Sequence, residues 1–193
     1  FRRSWWSPAA SAYFVERGWM VVFPQRRGRG ASDGRYDEGF ETDRSRYACL
    51  PALSLPGVER AIEDLDAVMS HLRSRRDVVH SRILLAGQSR GGILSIAYAG
   101  ERPDAVIGVV NFVGGWMGDR CPNAATINSG TFKRGGRFPG ATLWLYGDQD
   151  PYYSRSHSKD NFAAFVAAGG KGQFQSYWVP GQNSGHALIA YPR

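Results

Sequence analysis

The chain has 193 residues, of which 42% are apolar and 13% aromatic, so it is long enough and apolar enough to form one domain with a hydrophobic core. No run of 18 or more uncharged apolar residues occurs, and the sequence therefore predicts no membrane-spanning helix. The net charge of +7 comes from scattered arginines rather than from a basic stripe, so we expect no nucleic-acid partner. A polyanion-binding protein remains an alternative that rests on the charge alone.

The first part of the chain predicts a helix, a strand and a long loop. The helix covers residues 8–17, with Ser7 as its N-cap and Gly18 at its end. Residues 19–23 (WMVVF) predict a short buried strand. The polar, glycine-rich stretch 24–55 is long enough to suggest a functional loop.

Strands and helices alternate through the rest of the chain. A long helix begins at Pro56-Gly57, because apolar residues then recur at helical spacing as far as Leu72. The elements after it are a strand at 82–86, a helix at 93–99, strands at 105–113 and 141–146, a helix at 156–168 and a strand at 174–179. Alternation of this kind predicts a single α/β domain over 1–193, with a mostly parallel sheet flanked by helices. The connection 116–139 is interpreted as a lid-like insertion.

Residues 87–91 (GQSRG) form a G-x-S-x-G motif at a predicted strand-to-helix junction. A serine on so sharp a turn needs strained backbone angles, and the flanking glycines let strand and helix approach each other. Ser89 is therefore the candidate nucleophile. The backbone N–H of Arg90, at the start of the following helix, is a candidate oxyanion donor. The alternative is an ordinary serine in a glycine-rich turn.

A nucleophilic serine needs a base and an acid that orients the base. His186 lies in the loop after the last predicted strand and is the candidate base. Asp148 and Asp150 both follow the fourth strand, and Asp150 is the further out, directly before Pro151. Since all these loops leave the carboxyl edge of the sheet, the three side chains are expected to meet there. Either aspartate could instead form a turn or cap a helix.

The chain resembles α/β-hydrolases of the dienelactone-hydrolase-like and prolyl-oligopeptidase-like branch over nearly its whole length. The resemblance rests on the order Ser89, Asp150, His186 and on four motifs: GQSRGG at 87–92, RGRGASDG at 27–34, LWLYGDQD at 143–150 and GH at 185–186. In that family the acid takes the fourth position of a G-x-x-D segment. The resemblance thus implies Asp150 rather than Asp148 as the acid.

The resemblance also implies an α/β-hydrolase fold that lacks the family's first strands, its last helix and the loop that donates the second oxyanion N–H. Dienelactone hydrolase uses a cysteine nucleophile, so Ser89 favours ester or peptide chemistry. We expect a serine hydrolase that cleaves a carboxylic ester or small acyl substrate through an acyl-enzyme, without cofactor or metal. The alternatives are a prolyl-oligopeptidase-type peptidase and a non-catalytic binding protein on a hydrolase scaffold.

Two aromatic positions are candidate substrate-binding residues. Trp116 follows a Gly-Gly pair, and Tyr152, together with Tyr153, follows Asp150. Isolated aromatics in such places also serve as core or loop anchors. The expected partner is a small ester or acyl molecule, and the sequence predicts no oligomeric state.

The two cysteines, Cys49 and Cys121, are either buried free thiols or a disulfide. Both are expected in long loops on the carboxyl-edge face of the sheet, which favours a disulfide. A disulfide implies an oxidising compartment, and related hydrolases are often exported. We therefore expect a periplasmic or secreted protein, with a cytoplasmic one as the alternative.

Overall fold

A computed structural model describes residues 4–181 and 184–190 and contains a four-stranded parallel sheet. The strands are adjacent in chain order: β1 (Leu84–Gln88), β2 (Gly108–Phe112), β3 (Ala141–Gly147) and β4 (Gly172–Tyr177). Parallel neighbours need a crossover connection, and a helix supplies it in each case. The predicted α/β fold is confirmed, and the carboxyl ends of all four strands lie at one edge.

Five α-helices and two short 3₁₀ helices accompany the sheet in the described residues. The α-helices are α1 (Pro8–Val15), α2 (Pro51–Ser74), α3 (Arg90–Glu101), α4 (Ala124–Arg134) and α5 (Arg155–Ala167), and the 3₁₀ helices are Gly135–Arg137 and Gly185–Ala190. Helix α2 begins at Pro51, earlier than the predicted Pro56, because a proline is well suited to the first turn. Helices α3, α4 and α5 pack side by side.

The core lies between these helices and the sheet. Helix α3 is buried along almost its whole length. Trp144 of β3 is fully buried and packs against Phe132 of α4 and Phe165 of α5, with ring centroids 4.6 and 5.1 Å apart. The central sheet and its crossover helices therefore form a rigid base for the loops at the carboxyl edge.

The predicted strand at 19–23 is wrong, because no strand of the described chain lies alongside it. Within the described chain, residues 20–23 make no backbone–backbone hydrogen bond. Met20 and Val22 are also 48% and 45% exposed. The segment and strand β1 instead line one cavity of about 1100 Å³. Apolar residues favour a strand, but a strand exists only where a neighbour completes its hydrogen-bond ladder.

The connection 116–139 has two structurally different parts. Its middle is helix α4, whose Phe132 is part of the core, so this part is a crossover helix. Its first residues, 116–118, line the cavity next to β1. A lid role for the connection stays a prediction.

Asn128 of α4 fixes the first residues of that connection. Its side chain is fully buried, and its Oδ1 accepts hydrogen bonds from the N–H groups of Trp116 and Met117, both at 2.9 Å. Its Nδ2 donates to the carbonyl of Met117 (2.8 Å) and contacts Nε2 of His157 at 2.9 Å. Because Oδ1 is committed to two donors, Nδ2 must donate to His157 as well. The Nε2 atom of His157 is therefore unprotonated.

The disulfide between Cys49 and Cys121 is present, as predicted, with the two Cα atoms 5.7 Å apart. It joins the loop that enters α2 to the loop that enters α4. It therefore closes 72 residues of chain and ties two loops of the carboxyl edge together.

We expect no free thiol in the denatured, unreduced protein and two after reduction. In the chain-entropy model, reduction should lower the free energy of unfolding by about 4 kcal/mol. Urea denaturation with and without reductant measures this difference. A Cys49→Ser/Cys121→Ser variant should be insensitive to reductant, and a wild type that is equally insensitive would contradict the prediction.

The His157 contact predicts a pH-dependent stability. Burial lowers the pKa of His157, although Asp119 and Asp160 act in the opposite direction, so the folded protein binds this proton more weakly than the unfolded chain. The stabilisation from neutral His157 is therefore complete above the unfolded value of about 6.5 and is lost as the pH falls below it. His157→Gln should reduce the loss of stability between about pH 6.5 and pH 5 in urea denaturation.

The exposed His71 of α2 provides the matched control for that experiment. His71→Gln should keep the pH dependence of the wild type. Equal pH profiles for His157→Gln and His71→Gln would show that His157 is not the titrating group.

Candidate active site

Ser89 occupies the turn between β1 and α3. Its backbone has φ 54° and ψ −121°, a conformation that is strained for any residue with a side chain. A Cβ atom on Gly87 would collide with the backbone of Gly91, so the strand and the helix are in direct contact on either side of the serine. The N–H of Ser89 donates to the carbonyl of Phe112 at 3.0 Å, which anchors the turn to β2. The missing side chain of Gly87 thus permits the turn that the motif predicted, whereas a Cβ atom on Gly91 would meet open space.

The backbone N–H of Arg90 is the first of helix α3. No hydrogen bond among the described residues uses this N–H, as expected for the first turn of a helix. It lies at the positive end of the helix dipole, directly after Ser89. This N–H is therefore available to an oxygen that carries negative charge.

Asp150 and His186 are joined by a hydrogen bond. The Nδ1 atom of His186 lies 2.8 Å from Oδ2 of Asp150, whose side chain is fully buried. The other carboxylate oxygen accepts from the backbone N–H groups of Tyr152 (2.8 Å) and Tyr153 (3.1 Å). Because a carboxylate only accepts, Nδ1 of His186 must carry a hydrogen and Nε2 is left as the basic atom.

Asp148 is placed differently. Its carboxylate is partly exposed and lies 3.3 Å from Arg155, and its N–H donates to the carbonyl of Tyr177 at 2.7 Å. No described contact joins Asp148 to His186. The structure therefore brings Asp150, and not Asp148, to the histidine.

Two glycines allow the histidine loop to approach the end of β3. A Cβ atom on Gly147 would collide with Gly185, and one on Gly185 would collide with the backbone of Asp148 and Asp150. The loop is also held from the side of β1, because Nε2 of Gln88 donates to the carbonyl of His186 at 2.6 Å. Gly185 is thus needed because a larger residue would not fit, which the sequence alone did not reveal.

Ser89 and His186 line the same cavity of about 1100 Å³. No hydrogen bond joins them within the described part of the chain; the hydroxyl of Ser89 instead lies 3.5 Å from that of Tyr153. Tyr153 is buried, donates to the carbonyl of Gly115 at 2.8 Å and has its pKa raised by burial to about 12. Its hydroxyl is therefore protonated at neutral pH. Sequence analysis placed Tyr153 near the pocket but did not predict its contact with Ser89.

The two aromatic residues predicted to bind substrate both line this cavity. Tyr152 is 55% exposed, and the edge of its ring packs against His186 with centroids 4.7 Å apart. Trp116 is 1% exposed, and its ring faces the guanidinium of Arg90 at 4.2 Å. A role in substrate binding stays a proposal for both.

The side chain of Arg90 forms a contact that sequence analysis missed. Its guanidinium lies between the rings of Tyr47 and Trp116 and donates to the carbonyl of Glu38 at 2.7 Å. Glu38 and Tyr47 belong to the long loop before α2, about 50 residues from the serine motif in sequence. No local signal links the two segments, because the contact forms only when the loop folds over the helix N-terminus.

Two further findings concern the described residues only. They contain no cluster of three or more histidine, cysteine, aspartate or glutamate side chains suited to holding a metal ion. None of their helices combines the length and the apolar character needed to cross a membrane.

Comparison with known proteins identifies one matching family. The sequence pattern described as "Serine aminopeptidase, S33" matches residues 3–127, which is more than half of the chain. No curated protein sequence matches the chain.

Solved structures share the fold at low identity. Esterase PE8 has a TM-score of 0.56 at 16% identity, over 86% of this chain and 73% of its own. Est1E from Butyrivibrio proteoclasticus has a TM-score of 0.51 at 12% identity, and the match covers 69% of this chain and 66% of Est1E. The acylaminoacyl peptidase of Pyrococcus horikoshii has a TM-score of 0.50 at 14% identity, and the match covers 65% of this chain and 23% of the peptidase. The chain thus spans less than two thirds of some matched proteins, and as little as 21% of one.

At these identities the solved structures support the fold alone, whereas the sequence pattern covers the serine turn itself. Together with the parallel sheet, this match shows that the chain belongs to the serine aminopeptidase, S33 family of α/β-hydrolases.

Proposed function

We propose that the chain is a serine hydrolase that cleaves a carboxylic ester or small acyl substrate, with Ser89 as nucleophile, His186 as base and Asp150 as the orienting acid. The observation that carries the proposal is the 2.8 Å bond between His186 and the buried Asp150, in the cavity that the strained Ser89 also lines. A buried carboxylate that holds a partly exposed histidine in one tautomer is the arrangement that general-base catalysis requires.

Proton transfer is the first step of the proposed reaction. Asp150 keeps the hydrogen of His186 on Nδ1, so Nε2 accepts the proton of the Ser89 hydroxyl. In the structure this hydroxyl lies next to that of Tyr153, so the proposed step requires it to rotate towards His186. Catalytic hydrogen bonds are often long before the substrate binds, so the 3.5 Å contact with Tyr153 is compatible with this step.

Bond formation and cleavage follow. The Ser89 oxygen attacks the substrate carbonyl, and the N–H of Arg90 stabilises the negative charge that develops on the carbonyl oxygen. His186 then gives its proton to the leaving group, which departs and leaves an acyl-enzyme. Water, deprotonated by His186, releases the acid and restores Ser89. Trp116 and Tyr152 form the walls that the substrate contacts in this proposal.

A peptidase is the second candidate, because the matched family is described as a serine aminopeptidase. An aminopeptidase must accommodate a free ammonium group. Asp77 is the one acidic residue among the described residues that line the cavity, and it is paired with Arg75 at 2.6 Å. The cavity therefore favours an ester over a substrate with a free amino terminus. Comparing a p-nitrophenyl ester with an aminoacyl p-nitroanilide separates the two candidates.

The disulfide supports a location in an oxidising compartment such as the periplasm or the extracellular space.

Ser89→Ala should abolish both turnover of p-nitrophenyl esters and covalent labelling by a fluorophosphonate probe, because it removes the attacking oxygen. Ser74→Ala, which changes an exposed serine at the end of α2, is the control and should label like the wild type. Undiminished labelling of Ser89→Ala would exclude this nucleophile. A wild type that never labels would favour the non-catalytic alternative.

Asp150→Asn should lower kcat by about 10⁴-fold, because the amide can donate to His186 and thereby select the wrong tautomer. Asp148→Asn is the matched control, since it makes the same chemical change two residues away at a site that contacts Arg155. Its effect on kcat should be far smaller. Steady-state kinetics with a p-nitrophenyl ester measures both, and the reverse ranking would refute the role of Asp150.

A further inference from the structure

Tyr153 contacts each of the three residues to which the proposed reaction assigns a step. Its hydroxyl lies 3.5 Å from the hydroxyl of Ser89, and its ring packs against the ring of His186 with centroids 5.7 Å apart. Its backbone N–H donates to Oδ1 of Asp150 at 3.1 Å. One buried residue therefore contacts the nucleophile, the base and the acid.

The hydrogen of the Tyr153 hydroxyl is already used. It is donated to the carbonyl of Gly115 at 2.8 Å, and burial raises the pKa of the phenol to about 12, so the phenol keeps this hydrogen at neutral pH. A phenol has one hydrogen, and its oxygen can also accept. In the contact between the two hydroxyls Tyr153 must therefore be the acceptor and Ser89 the donor. The hydrogen that the proposed reaction transfers to His186 is thus directed at Tyr153 in the structure.

Gly115 fixes the phenol relative to the serine turn. Its N–H donates to the carbonyl of Ser89 at 3.1 Å, while its own carbonyl accepts from Tyr153. A Cβ atom on Gly115 would collide with the Tyr153 ring, so the ring lies directly against the backbone of the loop after β2. One residue therefore binds both the backbone of Ser89 and the hydroxyl of Tyr153. The phenol oxygen is thereby held beside the Ser89 hydroxyl.

The Ser89 hydroxyl thus has two acceptors that exclude each other. One is the phenol oxygen of Tyr153, which it contacts in the structure, and the other is Nε2 of His186, to which the proposed proton transfer requires it to rotate. A hydroxyl has one hydrogen, so a bond to the phenol withholds that hydrogen from the base. A contact of 3.5 Å is at the long end of hydrogen bonding, so it should shift the balance between the two positions by only about 3-fold.

We propose that Tyr153 is a positioning residue that holds the Ser89 hydroxyl in a resting orientation and competes with His186 for its hydrogen. The competition acts only while Ser89 has a hydrogen to donate. It therefore slows the formation of the acyl-enzyme, which begins with the free serine. It does not affect hydrolysis of the acyl-enzyme, in which the Ser89 oxygen is esterified. This inference rests on the proposed function, since it adds a residue to the same site.

Tyr153→Phe removes the phenol oxygen and keeps both the ring against His186 and the N–H on Asp150. In stopped-flow measurements with p-nitrophenyl acetate, the burst of p-nitrophenol reports acylation and the later steady state reports deacylation. The acylation rate constant should rise about 3-fold, because His186 is then the remaining acceptor for Ser89. The deacylation rate constant should stay that of the wild type. The second-order rate constant of fluorophosphonate labelling starts from the free serine and should rise like acylation, whether or not a burst appears.

Tyr146→Phe is the matched control. Tyr146 is buried like Tyr153, and its hydroxyl donates to the carbonyl of Gly114, one residue before Gly115, at 2.8 Å. It does not line the cavity, and no described contact joins it to Ser89. Acylation and deacylation by Tyr146→Phe should both stay as in the wild type. Slower or unchanged acylation by Tyr153→Phe, or an equal change in both steps, would overturn the positioning role.

If Tyr153→Phe does not fold, 3-fluorotyrosine at position 153 takes its place in the experiment. Fluorine draws electrons from the ring, so the hydroxyl keeps its hydrogen bond to Gly115 while its oxygen becomes a weaker acceptor for Ser89. Fluorophosphonate labelling should again be faster than in the wild type. The same amino acid at position 146 should leave the labelling rate unchanged, and equal rates for the two positions would contradict the proposal.

A double-mutant cycle tests the contact without catalysis. The unfolding equilibrium constants of the wild type, Ser89→Ala, Tyr153→Phe and the double variant are measured by urea denaturation. The two substitutions should be non-additive by about 3-fold in this constant, whereas Ser89→Ala and Tyr146→Phe should be additive. Additive effects of Ser89→Ala and Tyr153→Phe would overturn the inference. Non-additive effects in a protein that neither labels nor turns over esters would instead sink the proposed hydrolase and leave the contact between the two hydroxyls in place.

Discussion

The backbone contact between Gly87 and Gly91 is the constraint on which the site depends. It brings the end of β1 against the start of α3, and Ser89 between them takes a left-handed conformation that costs on the order of 1–3 kcal/mol. The surrounding sheet and the buried helix α3 stabilise that conformation. A side chain on Gly87 would separate strand and helix, and the serine, the Arg90 N–H and the Arg90 side chain would all move with them.

Two buried carboxylates at this edge illustrate how environment assigns different roles to the same chemical group. Asp150 accepts hydrogen bonds from two backbone N–H groups, which hold its carboxylate in place. Its one described side-chain partner is His186, so the carboxylate fixes the orientation of that imidazole ring. Glu38 contacts Arg26, Arg29 and Arg90, so it holds three guanidinium groups together. One carboxylate therefore fixes the ring of His186, and the other joins three arginine side chains.

The cavity wall is assembled from segments that are far apart in sequence and held by unrelated contacts. Asn128 fixes the residues after β2 through three backbone hydrogen bonds, and the disulfide ties the loops that enter α2 and α4. Arg90 then joins the loop before α2 to Trp116. Each contact removes freedom from a loop at the carboxyl edge, which is the condition for a pocket with fixed walls.

Local patterns in the sequence were sufficient for most of the fold. The strands at 82–86, 141–146 and 174–179 were each predicted within two residues of their observed bounds, and the serine turn was predicted from its glycines, because periodicity and turn sterics act over a few neighbouring residues. The strand at 19–23 was predicted wrongly, since a strand also requires a partner that its own residues do not specify. The contacts of Ser89 with Tyr153 and of Arg90 with Glu38 join residues 64 and 52 positions apart. Such contacts depend on how whole segments pack, and only the folded chain brings their atoms together.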